Sequence, residues 1–378
     1  MSGPPAVTGA ACRVPANSPV PRTGPLGPHH LYSCPRWLHV LTVGGRPPGG
    51  YATAGGRGLL PVHRGLPTRN RRYATATLFR DVPGGAPPGE FCYAGAMSAY
   101  QAEVPTRPGG GGDDIAALLD EAEAWSGGAD RLVVPYLTHR VASALPARWA
   151  DRLVPEDVEA WSPPGVGTVA ELLAALPRKQ RQNAQRNQRH FDRSGLTAAV
   201  EPLGACLGEF AVLAEAASRK HGQHDESSAL RRHLGAIADT FGADAVVFTA
   251  RDPAGPLAGA VLGVRHDDDL FMRMSGFDEE RTSGSAAYFN LMYYLPLDGT
   301  PDRPPRAVHY GAGSLAPKLH HGARLSPLWT LLPAAVAPAQ RAAVYRHRLA
   351  ALPAEVPEGV RRSFTDLLDA GHAGSGAG

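Results

Sequence analysis

Between residues 196 and 332, the spacing of apolar residues changes repeatedly between the strand period of two and the helical period near 3.6. The predicted order is a strand, two helices, three strands, a helix, a strand, a helix and a last strand. These elements cover residues 196–201, 205–221, 230–241, 245–250, 257–264, 270–275, 285–295, 307–311, 315–321 and 328–332. Three strands joined by short turns, followed by strands that alternate with helices, indicate a mixed α/β sheet flanked by helices.

The first half of the chain carries a weaker α/β pattern. Glycine and proline number 44 and 36 of the 378 residues, and much of this excess lies before residue 113. A helix begins at Asp113 and Asp114, whose carboxylates suit a helix N-terminus, and strand-like segments are 37–43, 59–63, 91–100 and 131–137. The length predicts two domains. We expect a disordered lead over 1–30, a degenerate α/β domain over 31–165, a regular one over 166–350, and a helix with a flexible tail over 351–378.

Charge and cysteine content exclude several classes of protein. The net charge of +3 does not favour nucleic-acid binding by the whole surface, so any such site must be a local basic patch. The four cysteines form no C-x-x-C pair, which argues against a disulfide framework and against a zinc finger. We find no apolar run long enough to span a membrane and no signal-peptide pattern. We therefore expect a cytoplasmic protein that does not insert into membranes.

The segment 281–286, between a predicted strand and a predicted helix, suits phosphate binding. Its small residues allow close approach of the backbone to a pyrophosphate, and N–H groups at a helix N-terminus attract negative charge. Arg281 adds a cation beside them. The candidate binding residues are Arg281, Ser283, Gly284, Ser285 and Ala286. The alternative is an ordinary turn capped by one of the two serines.

A second cluster runs from His309 to Gly322 and begins on a predicted strand. Gly311 and Gly313 allow the strand to bulge, so that main-chain N–H groups can stabilise the negative charge of a carbonyl under attack. Lys318, on the helix beyond, is placed to reach that oxygen or a donor phosphate. His309 and Tyr310 are candidates for proton transfer, although on an alternating strand only one can face the site. The alternative roles are a core histidine, a packed tyrosine and a solvated lysine.

Two further segments have competing interpretations. Residues 178–193 carry six basic side chains against one acid, a pattern that suits contact with RNA phosphates or simply a solvated helix. The run from Lys220 to His224 contains two histidines but no third ligand at a known spacing, so it predicts a helix end and no metal site.

The second half resembles the FemAB-like branch of the GNAT superfamily, in particular actinobacterial proteins of the peptidoglycan-biosynthesis type. The element order matches the GNAT fold, and 281–286 fits its signature [QR]-x-x-G-x-[GA]. Further matching pieces are Arg178-Lys179-x-Arg181, Gly195-Leu196, Lys220-His221-Gly222, Ser275-Gly276-Phe277-Asp278, Ala287-Tyr288-Phe289-Asn290, Tyr293-Tyr294 and His309-Tyr310-Gly311-x-Gly313 with Lys318.

This resemblance implies tandem GNAT-like domains, each a mixed central sheet flanked by helices, with the first one degenerate. It also implies amide-bond formation on an amine of a small molecule or peptide, with Lys318 assisting at the carbonyl. Fem-type enzymes take the acyl group from aminoacyl-tRNA, which would bind here through 178–193. The recognisable loop 281–286 keeps an acyl-CoA donor open, and a non-catalytic binding protein on the same scaffold is a further alternative. We expect no metal and no tightly bound cofactor.

Overall fold

The computed structural model describes residues 20–21, 25–27, 29–45, 47–65, 71–97, 99–128, 130–220, 227–300 and 302–374. The strands are β1 Gly50–Ala52, β2 Leu60–Arg64, β3 Cys92–Ala94, β4 Leu132–Thr138, β5 Leu153–Trp161, β6 Thr197–Pro202, β7 Ala245–Arg251, β8 Leu257–His266, β9 Asp269–Phe277, β10 Ala307–Ala312 and β11 Arg324–Leu331.

The helices are α1 Pro35–Val43, α2 Thr75–Leu78, α3 Gly112–Ser126, α4 His139–Ala142, α5 Ala147–Ala150, α6 Val169–Ala175, α7 Arg178–Asp192, α8 Leu203–Lys220, α9 Ser227–Phe241, α10 Glu279–Thr282, α11 Ala287–Phe289, α12 Leu295–Asp298, α13 Leu315–His320, α14 Pro338–Ala351 and α15 Glu358–Gly374. Single 3-10 turns occupy Leu31–Ser33, Arg71–Tyr73 and Gly242–Asp244, and a π-helical turn, Asn290–Tyr294, joins α11 to α12. None of the helices of the described residues is long and apolar enough to span a bilayer.

Within the described residues all the strands form one continuous sheet, in the order β1-β2-β3-β4-β11-β5-β10-β9-β8-β7-β6. The pairs β3–β4 and β9–β10 are parallel, and the other pairs are antiparallel. The two central strands are exchanged between the halves: β5, from the first half, lies next to β10, and β11, from the second half, lies next to β4. The predicted mixed sheet with helices is confirmed, whereas the domain limits remain a prediction because the sheet runs across them.

Three hydrophobic cores cover the faces of this sheet. The first packs β2–β5 and β11 against α3, α14 and α15. The second places α1, α8 and α9 on one face of β7–β9, and the third places α6, α7 and the π-helical turn on the opposite face. Helix α8 lies very close to β9, since a Cβ added at Gly276 would lie 2.4 Å from the carbonyl carbon of Leu213. Glycine at this position is therefore a packing requirement.

The predicted order of elements from residue 196 onward matches the structure, but the first half differs in three places. Residues 37–43 form a helix and not a strand, because Pro35 starts it after the cap of Cys34 and Trp37, Leu38, Val40 and Leu41 bury one helical face. Strand β5 was not predicted. The predicted strand 91–100 is ordered as a strand only over Cys92–Ala94.

The ends of the chain are described only in part. Residues 1–19, 22–24 and 28 of the predicted lead lie outside the described residues, while Val20 and Leu26 pack against the second core. The C-terminal segment forms the predicted helix, α15, and residues 375–378 lie outside the description. The histidine run 221–224 also lies outside it. Among the described residues no three His, Cys, Asp or Glu side chains group as metal ligands.

Candidate active site

The parallel strands β9 and β10 separate at His309. Their pairing covers only Ala307–His309 against Asp269–Phe271, and β10 shifts register against β5 between His309 and Gly311. Beyond that point the backbone enters the left-handed region, with φ of 75° at Gly311 and 76° at Gly313. Glycine adopts these angles without steric cost. The sequence therefore bends β10 away from β9 and opens a gap between them.

Lys318 lies at this gap with its ammonium on the backbone of the bend. It belongs to α13 and is 5% exposed, and its Nζ donates to the carbonyl oxygens of Gly311 at 2.8 Å and Ala312 at 3.2 Å. Burial lowers the pKa of Lys318 to about 8, with the charge of Asp157 opposing this shift and that of Arg72 adding to it. The structure thus brings Lys318 together with the glycine segment, as the sequence predicts, but the contact is with carbonyl groups.

His309 forms a buried pair with Glu159 of β5. Its Nε2 lies 3.1 Å from Oε2 of Glu159, which also accepts from the amide of Gln101 at 2.6 Å. Burial alone would raise the pKa of Glu159, but the hydrogen bond from His309 lowers it below its usual value. Burial lowers the pKa of His309. We therefore assign a carboxylate and a neutral imidazole that carries its proton on Nε2.

The other nitrogen of this imidazole, Nδ1, is buried and has no hydrogen-bond partner within the described part of the chain. Because Nε2 carries the proton, Nδ1 has a free lone pair. The charge of Lys318 contributes to the lowered pKa of His309, so the two side chains lie within electrostatic reach of each other. Tyr310 points to the opposite face of β10, where its ring packs 5.0 Å from that of Tyr293 and burial raises its pKa. The charge of Lys318 thus reaches His309, whereas Tyr310 lies on the other face of the strand.

The segment 281–286 forms a compact loop before α11. Asp278 caps the turn of α10, and Nε of Arg281 lies 3.3 Å from its carboxylate. Gly284 and Ala286 are left-handed, with φ of 69° and 58°, and a Cβ added at Gly284 would meet nothing within 4 Å. Ser285 is buried, donates to the carbonyl of Thr282 and accepts from the N–H of Ala287. Ser285 therefore holds the loop, while Ser283 and Gly284 are exposed.

Helix α7 covers the same side of the sheet. His190 lies 3.3 Å from the carbonyl of Gly284, and Asn290 donates to the carbonyls of Asn187 and Ala286, which ties α7 to the loop. A pocket of about 380 Å³ lies between α7, α11 and α13, lined by Gln180, Asn183, Ala184, Arg186, Asn187, Phe289, Ala316, Pro317, His320 and His321. Pro317 directly precedes Lys318 in the chain. This pocket therefore lies between α11, which follows the loop, and α13, the helix that carries Lys318.

Six basic side chains lie on α7 and at its C-cap, Arg193. Over the residues that the structure describes, none of them forms an ion pair: Arg178, Lys179, Arg181, Arg186, Arg189 and Arg193. Most are exposed. The predicted basic helix is therefore available to an external anion.

The sequence analysis did not find Glu159, Gln101, Asp157 or Arg72. All four come from the first half, and the contact between Glu159 and His309 spans 150 positions of sequence. Arg72 binds Asp157 at 2.9 Å and lies against the α-carbon of Gly313, where an added Cβ would be 3.0 Å from its Nη2. For one of these residues the sequence offers a signal: Glu159 stands between Val158 and Ala160 in a short apolar run, which is unusual for a carboxylate.

Comparisons with known proteins agree with this geometry. Residues 178–315 match the family model described as acetyltransferase (GNAT) domain. The C-terminal (DUF2156) domain of a protein described as lysylphosphatidylglycerol synthetase, from Agrobacterium fabrum, aligns with a TM-score of 0.52 at 11% identity, over 82% of this chain and 90% of its own. L-PGS from Bacillus licheniformis aligns with a TM-score of 0.50 at 12% identity, over 82% and 91%. FemX aligns with a TM-score of 0.47 at 11% identity, over 80% and 92%. No curated protein sequence matches the chain.

Residues 178–315 therefore form a GNAT-type acyltransferase domain in the second half of the chain. The predicted superfamily is thereby confirmed. The structural likeness covers most of the chain, including the first half, and concerns the fold.

Proposed function

We propose that this protein forms amide bonds by transferring an aminoacyl group from aminoacyl-tRNA to the amine of a small molecule or peptide. The observation that carries the proposal is the buried ammonium of Lys318 at the point where β9 and β10 separate, beside the His309–Glu159 pair. A GNAT domain supports acyl transfer in general. The resemblance to the FemAB-like branch supports the aminoacyl donor, and a cytoplasmic location belongs to the same proposal.

In this reaction the acceptor nitrogen attacks the ester carbonyl of the donor and forms the new C–N bond. Lys318 has three N–H donors and uses two on the backbone, so the third is left for the developing oxyanion. Such a donor contributes about 10²–10³ in kcat. The ester C–O bond then breaks, and the leaving tRNA hydroxyl takes up a proton.

The acceptor amine must lose a proton, and Nδ1 of His309 is suited to receive it. Its lowered pKa keeps the imidazole neutral near pH 7, and Glu159 fixes the tautomer and stabilises the imidazolium that forms. A carboxylate orients the catalytic histidine of hydrolases in the same way. The first half of the chain thus supplies the orienting group.

The unpaired cations of α7 favour a polyanionic donor. Cations without internal partners attract RNA phosphates and release counterions on binding. The adjoining pocket combines side-chain amides with the ring of Phe289, a combination that suits a nucleobase. The 3′ end of tRNA and CoA both carry adenosine, so this pocket supports either donor. The free charge of α7 is the feature that favours tRNA.

An acyl-CoA donor is the second candidate, favoured by the match of 281–286 to the GNAT signature and by the family model. With acetyl-CoA as the donor, this chain would be an N-acetyltransferase that binds the pyrophosphate of CoA at the exposed loop around Gly284. Pairing of Arg281 with Asp278 weakens the cation at that loop and favours the first candidate.

The test is transfer from bulk aminoacyl-tRNA or from a panel of acyl-CoAs to a mixed amine pool, read by mass spectrometry with and without RNase. We expect activity that RNase destroys and that Lys318→Met lowers about 10²–10³-fold. The matched control is Lys220→Met, which removes an exposed lysine paired with Glu279. Activity that survives RNase and needs a CoA thioester would establish the second candidate. Binding of either donor without any product would leave a non-catalytic binding protein.

A second pair of variants tests the role of α7. Arg186→Gln combined with Arg189→Gln removes two unpaired cations, and Arg346→Gln removes an exposed arginine of α14 as the control. We expect the double variant to weaken tRNA binding and to reduce its salt dependence, since each lost phosphate contact lowers the slope of log K against log salt by about one unit. An unchanged slope would exclude α7 from the donor site.

A further inference from the structure

A pocket of about 450 Å³ opens beside the His309–Glu159 pair and is distinct from the pocket under α7. It is bounded by the end of β4 and by β5, β10 and β11, and its polar lining includes His30, Arg140, Glu159, Arg306, Arg324 and Ser326. Its volume suits a small ligand. The strand pairing places it next to the chemistry, because Glu159 lies opposite Ala312, one of the two carbonyl groups that bind Lys318.

The three arginines of this pocket differ in their partners. Arg140 donates twice to Glu103, at 3.0 and 2.9 Å, and Arg306 binds both carboxylate oxygens of Asp269, at 3.1 and 2.8 Å. Arg324 is exposed and makes no ion pair with any residue that the structure describes. One guanidinium in the pocket is therefore available for an anion.

Glu159 supplies the opposite charge on the pocket floor. Its side chain is 3% exposed. Its hydrogen bonds come from Gln101, His309 and Trp161, and the imidazole of His30 lies near enough to lower the pKa of this carboxylate. A buried carboxylate is stabilised much more by a cation than by neutral donors. Since this carboxylate lines the pocket, a ligand ammonium can provide that cation.

The distance between Arg324 and Glu159 indicates how far apart the two charged groups of the ligand are. In the antiparallel pairing of β5 with β11, Ser326 is opposite Glu159 and Arg324 is opposite Trp161. Opposite residues share a face, and Arg324 is the diagonal neighbour of Glu159, about 7–8 Å away along the sheet. A ligand that bridges them carries its ammonium and its carboxylate only a few bonds apart. Trp161, Leu325 and Pro164 provide apolar surface for a side chain.

We propose that this pocket is the acceptor site and that the acceptor is a free amino acid, held by its carboxylate on Arg324 with its amino group at Glu159. The assignment rests on the proposed function, because it places the attacking nitrogen at Glu159, the carboxylate that contacts His309. The product is then an amide on the amino nitrogen of that amino acid. With an aminoacyl donor it is a dipeptide.

The test begins with binding in the absence of any donor. The free L-amino acids are screened by thermal shift, and the best one is compared by calorimetry with its C-terminal amide and its N-acetyl derivative. We expect both derivatives to bind more weakly than the free amino acid. Arg324→Gln should weaken binding of the amino acid about 10- to 100-fold and leave the amide unaffected. Arg346→Gln, outside the pocket, is the control and should change neither.

Arg324 is exposed, so its replacement keeps the fold. In a second variant, Glu159→Gln, the free amino acid should no longer bind more tightly than its N-acetyl derivative. The acceptor assignment would be overturned if no amino acid binds. It would also be overturned if Arg324→Gln weakens the affinity for the free amino acid and for its C-terminal amide equally. Transfer to amines without a carboxylate, unaffected by Arg324→Gln, would overturn it while the proposed function stands. Amino-acid binding that depends on Arg324, without transfer from any donor, would support the site and refute the proposed function.

Discussion

Replacing Lys318 by methionine should change how the free energy of unfolding depends on pH. Burial lowers the pKa of Lys318 from 10.5 to about 8 in the folded protein. Between these values the unfolded chain binds more protons than the native state, so the unfolding free energy rises with pH. One pKa unit corresponds to about 1.36 kcal/mol. The wild-type protein should therefore gain roughly 2–3 kcal/mol between pH 7 and pH 10 from this group alone, relative to Lys318→Met.

Urea unfolding, followed by tryptophan fluorescence at pH 7, 8, 9 and 10, measures this effect. Other titrating groups contribute equally to both proteins, so the difference between the two unfolding free energies isolates Lys318. The carbonyl groups of Gly311 and Ala312 lose a donor in the variant, which adds an offset that does not vary with pH. Lys220→Met is the matched control, because that side chain is 63% exposed and loses little hydration on folding.

The difference in unfolding free energy between wild type and Lys318→Met should be constant below about pH 7 and should increase above pH 8. Parallel stability curves for wild type and Lys318→Met over the whole range would show that the ammonium is not desolvated by folding. An equal slope for Lys220→Met would show that the effect is unspecific. Either result would refute the claim that Lys318 is a buried cation held at the bend of β10.

Three further outcomes follow from the same geometry. If the oxyanion needs a charged Lys318, transfer should decline above about pH 8, and Lys318→Arg should move this decline to higher pH in a pH–rate profile. Gly276→Ala places a Cβ against Leu213 and should cost about 1–3 kcal/mol in urea unfolding, whereas Gly208→Ala, with open space, should not destabilise. Arg348→Met removes a buried guanidinium from Asp81 and Glu156, which keep contacts with the exposed Arg80, so we expect a loss of about 1–3 kcal/mol in urea unfolding.

The second half could be predicted because its signals are local. Strands such as Leu257–His266 are apolar throughout, and the helices between them keep one apolar face, so their types follow from periodicity. The loop 281–286 was located between β9 and α11 for the same reason. The role of Ser285 could not be predicted, since a serine that caps a turn and one that contacts phosphate have the same sequence context.

Strand β5 was missed because its pattern is interrupted. Glu156, Asp157 and Glu159 lie among its apolar residues, and each is stabilised by a group far away in sequence: Arg348, Arg72 and His309. A strand that buries several carboxylates can be recognised only when the partners of those carboxylates are known. Residues 37–43 show the converse, because a short apolar run fits a strand or a buried helix, and only the preceding cap decides between them.

The exchange of β5 and β11 explains why both halves are needed for one site. His309 lies on β10, but the carboxylate that fixes its tautomer is on β5, which the first half inserts between β10 and β11. A chain restricted to 166–350 would expose β10 as an edge and leave the imidazole without Glu159. Lys318 would also lose Asp157, whose charge favours the ammonium. The first half thus completes the sheet with β5 and supplies the carboxylate of Glu159 to His309, a contact that no local sequence pattern reveals.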